Sequence, residues 1–240
     1  MPRLDVLVAK SGLAESRERA QALILAGKVR VAGETVRSPA RTVRDDASID
    51  VDAEPGYASR GALKLAPALD GFGVDPAGRV CADIGASTGG FTDVLLRRGA
   101  EKVFALDVGR GLLHWRLRQD PRVVVIERTN ARDLETFPEN VSLVVIDVSF
   151  ISLEKVLPAV RRAAPRGEVV ALFKPQFEVG RGQVGKGGIV RDQAAVEAAL
   201  ARFADWCSAN GYAITGKAPS EVTGVQGNRE IFVHLQPEQA

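Results

Sequence analysis

Between Arg79 and Asp93 the chain reads RVCADIGASTGGFTD, and the residues able to do chemistry here are three glycines and an aspartate. Gly85, Gly89 and Gly90 remove the Cβ atoms that would hold a ligand away from backbone N–H groups, and a helix starting beside such a turn aims its positive dipole end at whatever binds. The spacing is G-x-x-x-G-G. It is neither the G-x-G-x-x-G of dinucleotide sites nor the G-x-x-x-x-G-K-[ST] of phosphate loops, so phosphate is not the obvious guest. Asp83 stands at the strand end just before the turn. Asp107 closes the next apolar run, KVFALDV, where nucleotide sites of α/β proteins put a carboxylate on ribose hydroxyls. Taken singly, such residues more commonly shape a loop or cap a strand; in this order they point to a ribose-bearing ligand.

The elements that must position them are legible as periodicity. Val80, Cys81, Ala82 and Ile84 form a short buried strand, and Phe91, Val94 and Leu95 share one face of the helix that follows. From residue 79 strand and helix alternate: RVCADIG, FTDVLLRRG, KVFALDVG, RGLLHWRLRQ, VVVIER, LVVIDVSF, LEKVLPAVRRAA and EVVALF. That alternation predicts right-handed βαβ units around a parallel sheet, with ligands at the carboxyl ends of the strands. Asp192 to Asn210 reads as a helix, and YAITGKA and REIFVHLQ as closing strands, with Glu230 beginning the last. Between them, KPQFEVGRGQVGKGGIVRD carries five glycines together with Arg181 and Lys186. It is either a flexible basic lid over a substrate or a mobile connection.

The chain of 240 residues has room for one large α/β domain and a small module. Lysine and arginine total 32 against 30 acids, but residues 1–44 hold nine bases and four acids, whereas residues 45–54 hold five acids and no base. A basic head of this kind is either a solvated face or the electrostatic footprint of nucleic-acid binding. Within it, Ser16 caps a helix whose Ala20, Leu23 and Ile24 recur at core spacing, Gly27 ends that helix, and KVRVAGETV makes a hairpin about Ala32-Gly33. Asp45 to Pro55 reads as a polar linker, with a small domain at 1–54 and a large one at 55–240. Cys81 and Cys207 have no C-x-x-C spacing, so buried free thiols are expected and no metal site. No apolar run approaches the roughly 20 residues that span a bilayer, and MPRLDVLVAK lacks the apolar core of a secretory signal. A cytoplasmic, reducing setting follows. In YASRGALKLAPALDGFGV, Lys64 is a lone cation on an apolar helix, a position from which lysines usually reach out to solvent.

LDVLVAKSGLAESRERAQALILAGKVRVAGETV closely resembles the small RNA-binding module shared by a ribosomal small-subunit protein, pseudouridine synthases and tyrosyl-tRNA synthetases, although its turn is Ala-Gly where Asn-Gly is usual. The motifs SRGALKL, VVIDVSF, LFKPQFE and NREIF resemble those holding the K-D-K-E tetrad of ribose 2'-O-methyltransferases. With DIGASTGGFTD, LDVGRGLLHW and ERTNARDL between them, the chain is similar from end to end to the TlyA (haemolysin A) family of S-adenosylmethionine-dependent rRNA methyltransferases. One departure is Ala62, where that family more often has a second glycine.

The resemblance implies a Rossmann-like class I methyltransferase fold with a mostly parallel seven-stranded sheet, preceded by a small α+β RNA-binding domain. It implies S-adenosyl-L-methionine as cofactor, ribosomal RNA or ribosomal subunits as partner, and a cytidine as target, with neither metal nor membrane involved. Lys64, Asp147, Lys174 and Glu230 become the tetrad. Lys174 is the expected base for a sugar hydroxyl, Asp147 orients the lysine ammonium or that hydroxyl, Lys64 steadies the developing alkoxide and offsets the Asp147 charge, and Glu230 holds Lys64 or the hydroxyl. Asp83, Gly85, Ser87, Gly89, Gly90 and Phe91 are expected around the methionine part of the cofactor, Asp107 on its ribose, and Asn130, Ala131 and Asp133 at its adenine. Arg3, Lys10, Arg17, Arg19, Lys28, Arg60, Arg181 and Lys186 are the expected RNA contacts. Two rival readings are an RNA-binding assembly factor with an idle site and a haemolysin. The intact tetrad argues against the first, and the lack of a spanning segment or strongly amphipathic cationic helix against the second. The sequence does not specify an oligomeric state.

Overall fold

The computed structural model describes residues 2–11, 13–14, 16–45, 47–51, 57–224 and 227–238, with the Arg181 side chain also outside that description. The chain divides into two compact units, Met1–Gly56 and Tyr57–Ala240.

In the first unit, helices α1 (Leu4–Lys10) and α2 (Arg17–Leu25) precede strands β1 (Val29–Val31), β2 (Glu34–Val36) and β3 (Ile49–Val51), which form a sheet in the order β2-β1-β3. Ser16 Oγ accepts the Arg19 N–H at 3.1 Å, capping α2 as expected. The hairpin turns through Ala32 (φ +50°) and Gly33 (φ +83°), so the alanine occupies a left-handed position that its Cβ disfavours. Leu4, Val8, Ala20, Ile24 and Val29 are fully buried between helices and sheet. The expected linker is corrected in part: Ile49–Val51 pairs antiparallel with β1. Asp45, Ala47 and Ser48 are in neither helix nor strand, and residues 46 and 52–55 of the expected linker lie outside the described residues.

The second unit begins with α3 (Ala62–Phe72), β4 (Val80–Ile84), α4 (Gly90–Arg97), β5 (Lys102–Leu106), α5 (Trp115–Arg118) and β6 (Val123–Ile126). It continues through β7 (Leu143–Ile146), α6 (Leu157–Ala163), β8 (Glu168–Phe173), α7 (Pro175–Glu178), α8 (Gln193–Ala209), β9 (Tyr212–Pro219) and β10 (Ile231–Pro237). The sheet runs β6-β5-β4-β7-β8-β10-β9. Its first five strands are parallel and β10 is antiparallel to both neighbours, which is the Rossmann-like, mostly parallel seven-stranded arrangement expected. Strands covered on both faces read as continuous apolar runs. Leu143, Val144, Val145 and Ile146 of β7 are accordingly all fully buried, their side chains divided between two core clusters.

Asp192 caps the 17-residue α8 by accepting the Ala194 and Ala195 N–H groups. Cys81 and Cys207 are free and buried, and burial pushes both thiols up to about 12. Among the described residues no helix is long and apolar enough to cross a membrane. Among them, too, no group of His, Cys, Asp and Glu side chains has the makings of a metal site.

Candidate active site

The parallel strands β4, β7 and β8 end on one edge of the sheet, and β10, being antiparallel, begins there. Gly85 leaves β4 at φ +87°, and a Cβ on it would overlap the Asp147 carbonyl oxygen at the end of β7. Gly89 enters α4 at φ +93° with Leu113 and Leu117 packed where its Cβ would be, and a Cβ on Gly90 would lie 2.9 Å from Ala62 N and overlap Ser59 Oγ. The glycines therefore let three pieces of chain converge: the end of β7, the start of α5 and the entry to α3. Asp107 fixes the turn from the next strand, accepting Ser87 N–H at 2.8 Å on Oδ2 and Gly109 N–H at 2.7 Å on Oδ1.

Asp83 is fully buried. Its Oδ2 accepts both the N–H (2.8 Å) and the hydroxyl (2.6 Å) of Thr92, while Oδ1 has no partner. Burial pushes this carboxyl up to about 7, with Asp147 and Asp107 adding to the rise against the Thr92 hydrogen bonds.

The four tetrad candidates meet on the same edge. Lys64, in the first turn of α3, donates to Glu230 Oε2 at 2.6 Å; the lysine side chain is 12% and the glutamate 3% exposed. The lone lysine on an apolar helix thus ends on a buried carboxylate and not in solvent, where such lysines usually go. Lys174 Nζ lies 2.6 Å from Asp147 Oδ1 and donates to Ser149 Oγ at 2.9 Å. The Asp147 contact is close but not aligned as a hydrogen bond, which leaves that oxygen buried without a donor. Register explains the meeting of the two pairs: Ile231 pairs with Phe173, so Glu230 and Lys174, one residue beyond on each strand, are neighbours.

These side chains line a cavity of about 550 Å³ that also takes in Asp83, Gly85, Ser87, Gly90, Phe91 and Arg60. A second cavity of about 290 Å³ shares Gly85, Ser87, Asp147 and Ser149 with it and is lined further by Asp107, Asn130 and Ala131. Two expected cofactor residues line neither: Gly89, whose part is conformational, and Asp133, which is exposed. Among the described residues three buried side-chain oxygens have no hydrogen-bond partner: Asp83 Oδ1, Asp147 Oδ1 and Gln176 Oε1. All three residues line the larger cavity. Leaving one such acceptor unpaired costs about 1–3 kcal/mol, more when charged. Asp147 Oδ1 is compensated by the Lys174 ammonium 2.6 Å away, which leaves Asp83 Oδ1 and Gln176 Oε1 as the acceptors that a ligand with hydrogen-bond donors would satisfy.

Sequence reasoning passed over Ser149, Phe150 and Gln176, although VVIDVSF and LFKPQFE contain them. Phe150 is 90% exposed at φ +64°, with its ring 5.2 Å from that of Phe177 at the cavity wall. A bulky residue held left-handed is a strained placement that packing does not require. The two-residue alternation Asp147, Ser149 was the available signal for the serine.

Of the expected RNA contacts, Arg3 and Arg17 bind the buried Asp5 at 2.9 and 3.1 Å while their side chains stay 44% and 50% exposed. Lys28 is half-buried, and Lys10, Arg19, Arg60 and Lys186 are exposed. The glycine-rich segment around Lys186 is not a structureless loop. It holds α7 and two single helical turns, and the buried Asn228 side chain ties it down by accepting Val190 N–H at 2.9 Å and donating to Gly188 O at 2.8 Å.

A family profile described as FtsJ-like methyltransferase matches residues 57–237, and one described as S4 domain matches residues 2–49. The chain is 49% identical to the 16S/23S rRNA (cytidine-2'-O)-methyltransferase TlyA of Mycobacterium tuberculosis, over 98% of this chain and 90% of that protein. It is 44% identical to Hemolysin A of Brachyspira hyodysenteriae, over 97% of this chain and 99% of that protein. A solved structure from Streptococcus thermophilus, described as a candidate hemolysin, superposes with a TM-score of 0.75 at 42% identity, covering 100% of this chain and 89% of that one.

Proposed function

The chain belongs to the FtsJ-like methyltransferase family, in its TlyA group, and from that premise we propose that it transfers a methyl group from S-adenosyl-L-methionine to the 2'-hydroxyl of a cytidine in ribosomal RNA. The observation that carries the reading is the pair of lysine–carboxylate contacts, Lys64 with Glu230 and Lys174 with Asp147, each at 2.6 Å and facing one cavity. Residues 1–54 are the RNA-binding domain in this reading and residues 55–240 the catalytic one.

The cofactor supplies an electrophilic methyl group carried on a sulfonium. The residues fit it: the unpartnered Asp83 Oδ1 suits an ammonium donor, Gly85, Ser87 and Gly90 of the glycine turn line the same cavity, and Asp107, Asn130 and Ala131 line the adjoining cavity where a nucleoside would lie. Lys174 Nζ takes the proton from the target hydroxyl, because a neutral sugar hydroxyl is too weak a nucleophile to attack unaided. Asp147, with Oδ1 2.6 Å from Nζ, orients the lysine beside that hydroxyl. Lys64 stabilises the negative charge developing on the oxygen, and Glu230 keeps the lysine from swinging to solvent. Arg60, exposed at the cavity wall, together with Lys186, Arg181 and the basic residues of the first unit, Arg3, Lys10, Arg17, Arg19 and Lys28, meets RNA phosphates.

The test is transfer of labelled methyl from S-adenosylmethionine to small subunits, large subunits and bare rRNA, run on wild type and Lys174→Ala. The expected result is labelling by the wild type and a loss of at least a hundredfold in Lys174→Ala with cofactor affinity retained. Cofactor and RNA binding with no transfer to any of the three substrates would instead favour an assembly factor with an idle site.

A further inference from the structure

A lysine that is to act as a base must present its lone pair, and a primary amine can rotate about its Cε–Nζ bond unless something accepts its N–H groups. Lys174 is buried and held from one side of the sheet edge only, by the chain that leaves β7. There Asp147 and Ser149, the first and third residues beyond the end of β7, approach it. They face Nζ at 2.6 and 2.9 Å, but only the serine contact has hydrogen-bond alignment. Among the described residues, Ser149 Oγ is therefore the one directional acceptor that Lys174 Nζ has. Ser149 is itself exposed on the cavity wall, so its side chain contributes little packing that an alanine would forfeit.

We propose that Ser149 is a positioning residue for Lys174: its Oγ accepts one N–H, fixes the rotation about Cε–Nζ, and so aims the lone pair of the neutral amine at the target hydroxyl. The proton then passes from that hydroxyl oxygen to the lone pair, and nitrogen gains its third N–H without turning. This rests on the reading of Lys174 as the base. Holding a reacting group at its working angle is a term that acts on turnover and not on binding.

The experiment compares Ser149→Ala, Ser149→Cys and Ser149→Thr with wild type and Lys174→Ala, measuring kcat, KM for the RNA substrate and the Kd of S-adenosylmethionine. The alanine and cysteine variants are expected to lose about tenfold in kcat, with KM and cofactor Kd within about twofold, and threonine, which keeps the acceptor, to recover most of the loss. A kcat within twofold of wild type in Ser149→Ala overturns the proposal. So does a loss that threonine does not restore, or one that appears in cofactor Kd, since each assigns the serine to packing or binding instead. If Lys174→Ala itself retains full turnover, the base reading fails; if Lys174→Ala is inactive and Ser149→Ala is not, only the positioning role does.

Discussion

Asp83 is a carboxylate in an expensive place: fully buried, hydrogen-bonded on one oxygen, bare on the other, and pushed up to about 7 chiefly by burial. Because its folded pKa lies above the ordinary 3.8, its ionisation works against the ligand-free fold as pH rises from about 4 through 7. A cationic donor on Oδ1 reverses the balance by favouring the carboxylate, so ligand binding releases a proton. Affinity for S-adenosylmethionine is therefore expected to rise about five- to tenfold between pH 6 and 7.5 by calorimetric titration, and Asp83→Asn to bind more weakly with a flat profile. A flat profile in the wild type would remove Asp83 from the cofactor's ammonium. At this scale the sequence was partly legible. Motif spacing brought out the glycines, Asp83 and the four tetrad residues. It could not place Asp133 outside both cavities, nor could it bring in Gln176 or Ser149, because which side chain faces a cavity depends on how separate strands end side by side.

The placement of Lys174 and Glu230 is a property of two strands. Glu168 opens β8 and is gripped by Arg79 Nη1 at 2.6 Å, His234 Nε2 at 2.7 Å and Gln236 Nε2 at 2.9 Å, the last two reaching across from β10. That clamp fixes the β8–β10 register from the end opposite the site. Hydrogen bonds from His234, then Arg79, lower the Glu168 carboxyl from 4.5 to about 2. A depressed carboxyl contributes stability that is present above the unfolded pKa and lost as pH falls through the folded one. Wild type is expected to lose stability from this group between about pH 4.5 and pH 2, and Glu168→Gln to lack that increment and be about 2 kcal/mol less stable at pH 7. Thermal melts across that range check both, and equal acid slopes for the two proteins would assign the acid sensitivity elsewhere. Long periodic elements were readable ahead of the structure. The helix with its Asp192 cap, the buried parallel strands and the Ser16-capped helix all declare themselves through local pattern. Strand β3 did not, since three residues within an acidic run carry too little period, and their pairing with β1 is a long-range contact.

The molecule as a whole joins a unit of fifty-odd residues, whose first 44 carry nine bases against four acids and whose end carries five acids and no base, to a larger α/β unit, on a chain whose net formal charge is only +2. In the proposed reading the asymmetry serves an RNA substrate: Arg3 and Arg17 stay half exposed while anchored on the buried Asp5, and the proposed tetrad lines a cavity of the other unit. Guanidinium hydrogen bonds hold the Asp5 carboxyl well below the usual range, so the arginines keep their anchor throughout the pH range of ribosome chemistry. The division into two units was legible in charge distribution and module resemblance; the convergence of β4, β7, β8 and β10 that makes one cavity was not, because it depends on sheet order. The central claim is that the acceptor of the methyl group is a ribose oxygen. It is tested most directly by alkaline hydrolysis of rRNA labelled with radioactive methyl by the wild-type protein. A 2'-O-methyl group blocks cleavage of the adjoining phosphodiester, so the account predicts label in alkali-resistant dinucleotides that disappear when Lys174→Ala replaces the wild type. Label recovered in mononucleotides would mean that a base is methylated, and would contradict it.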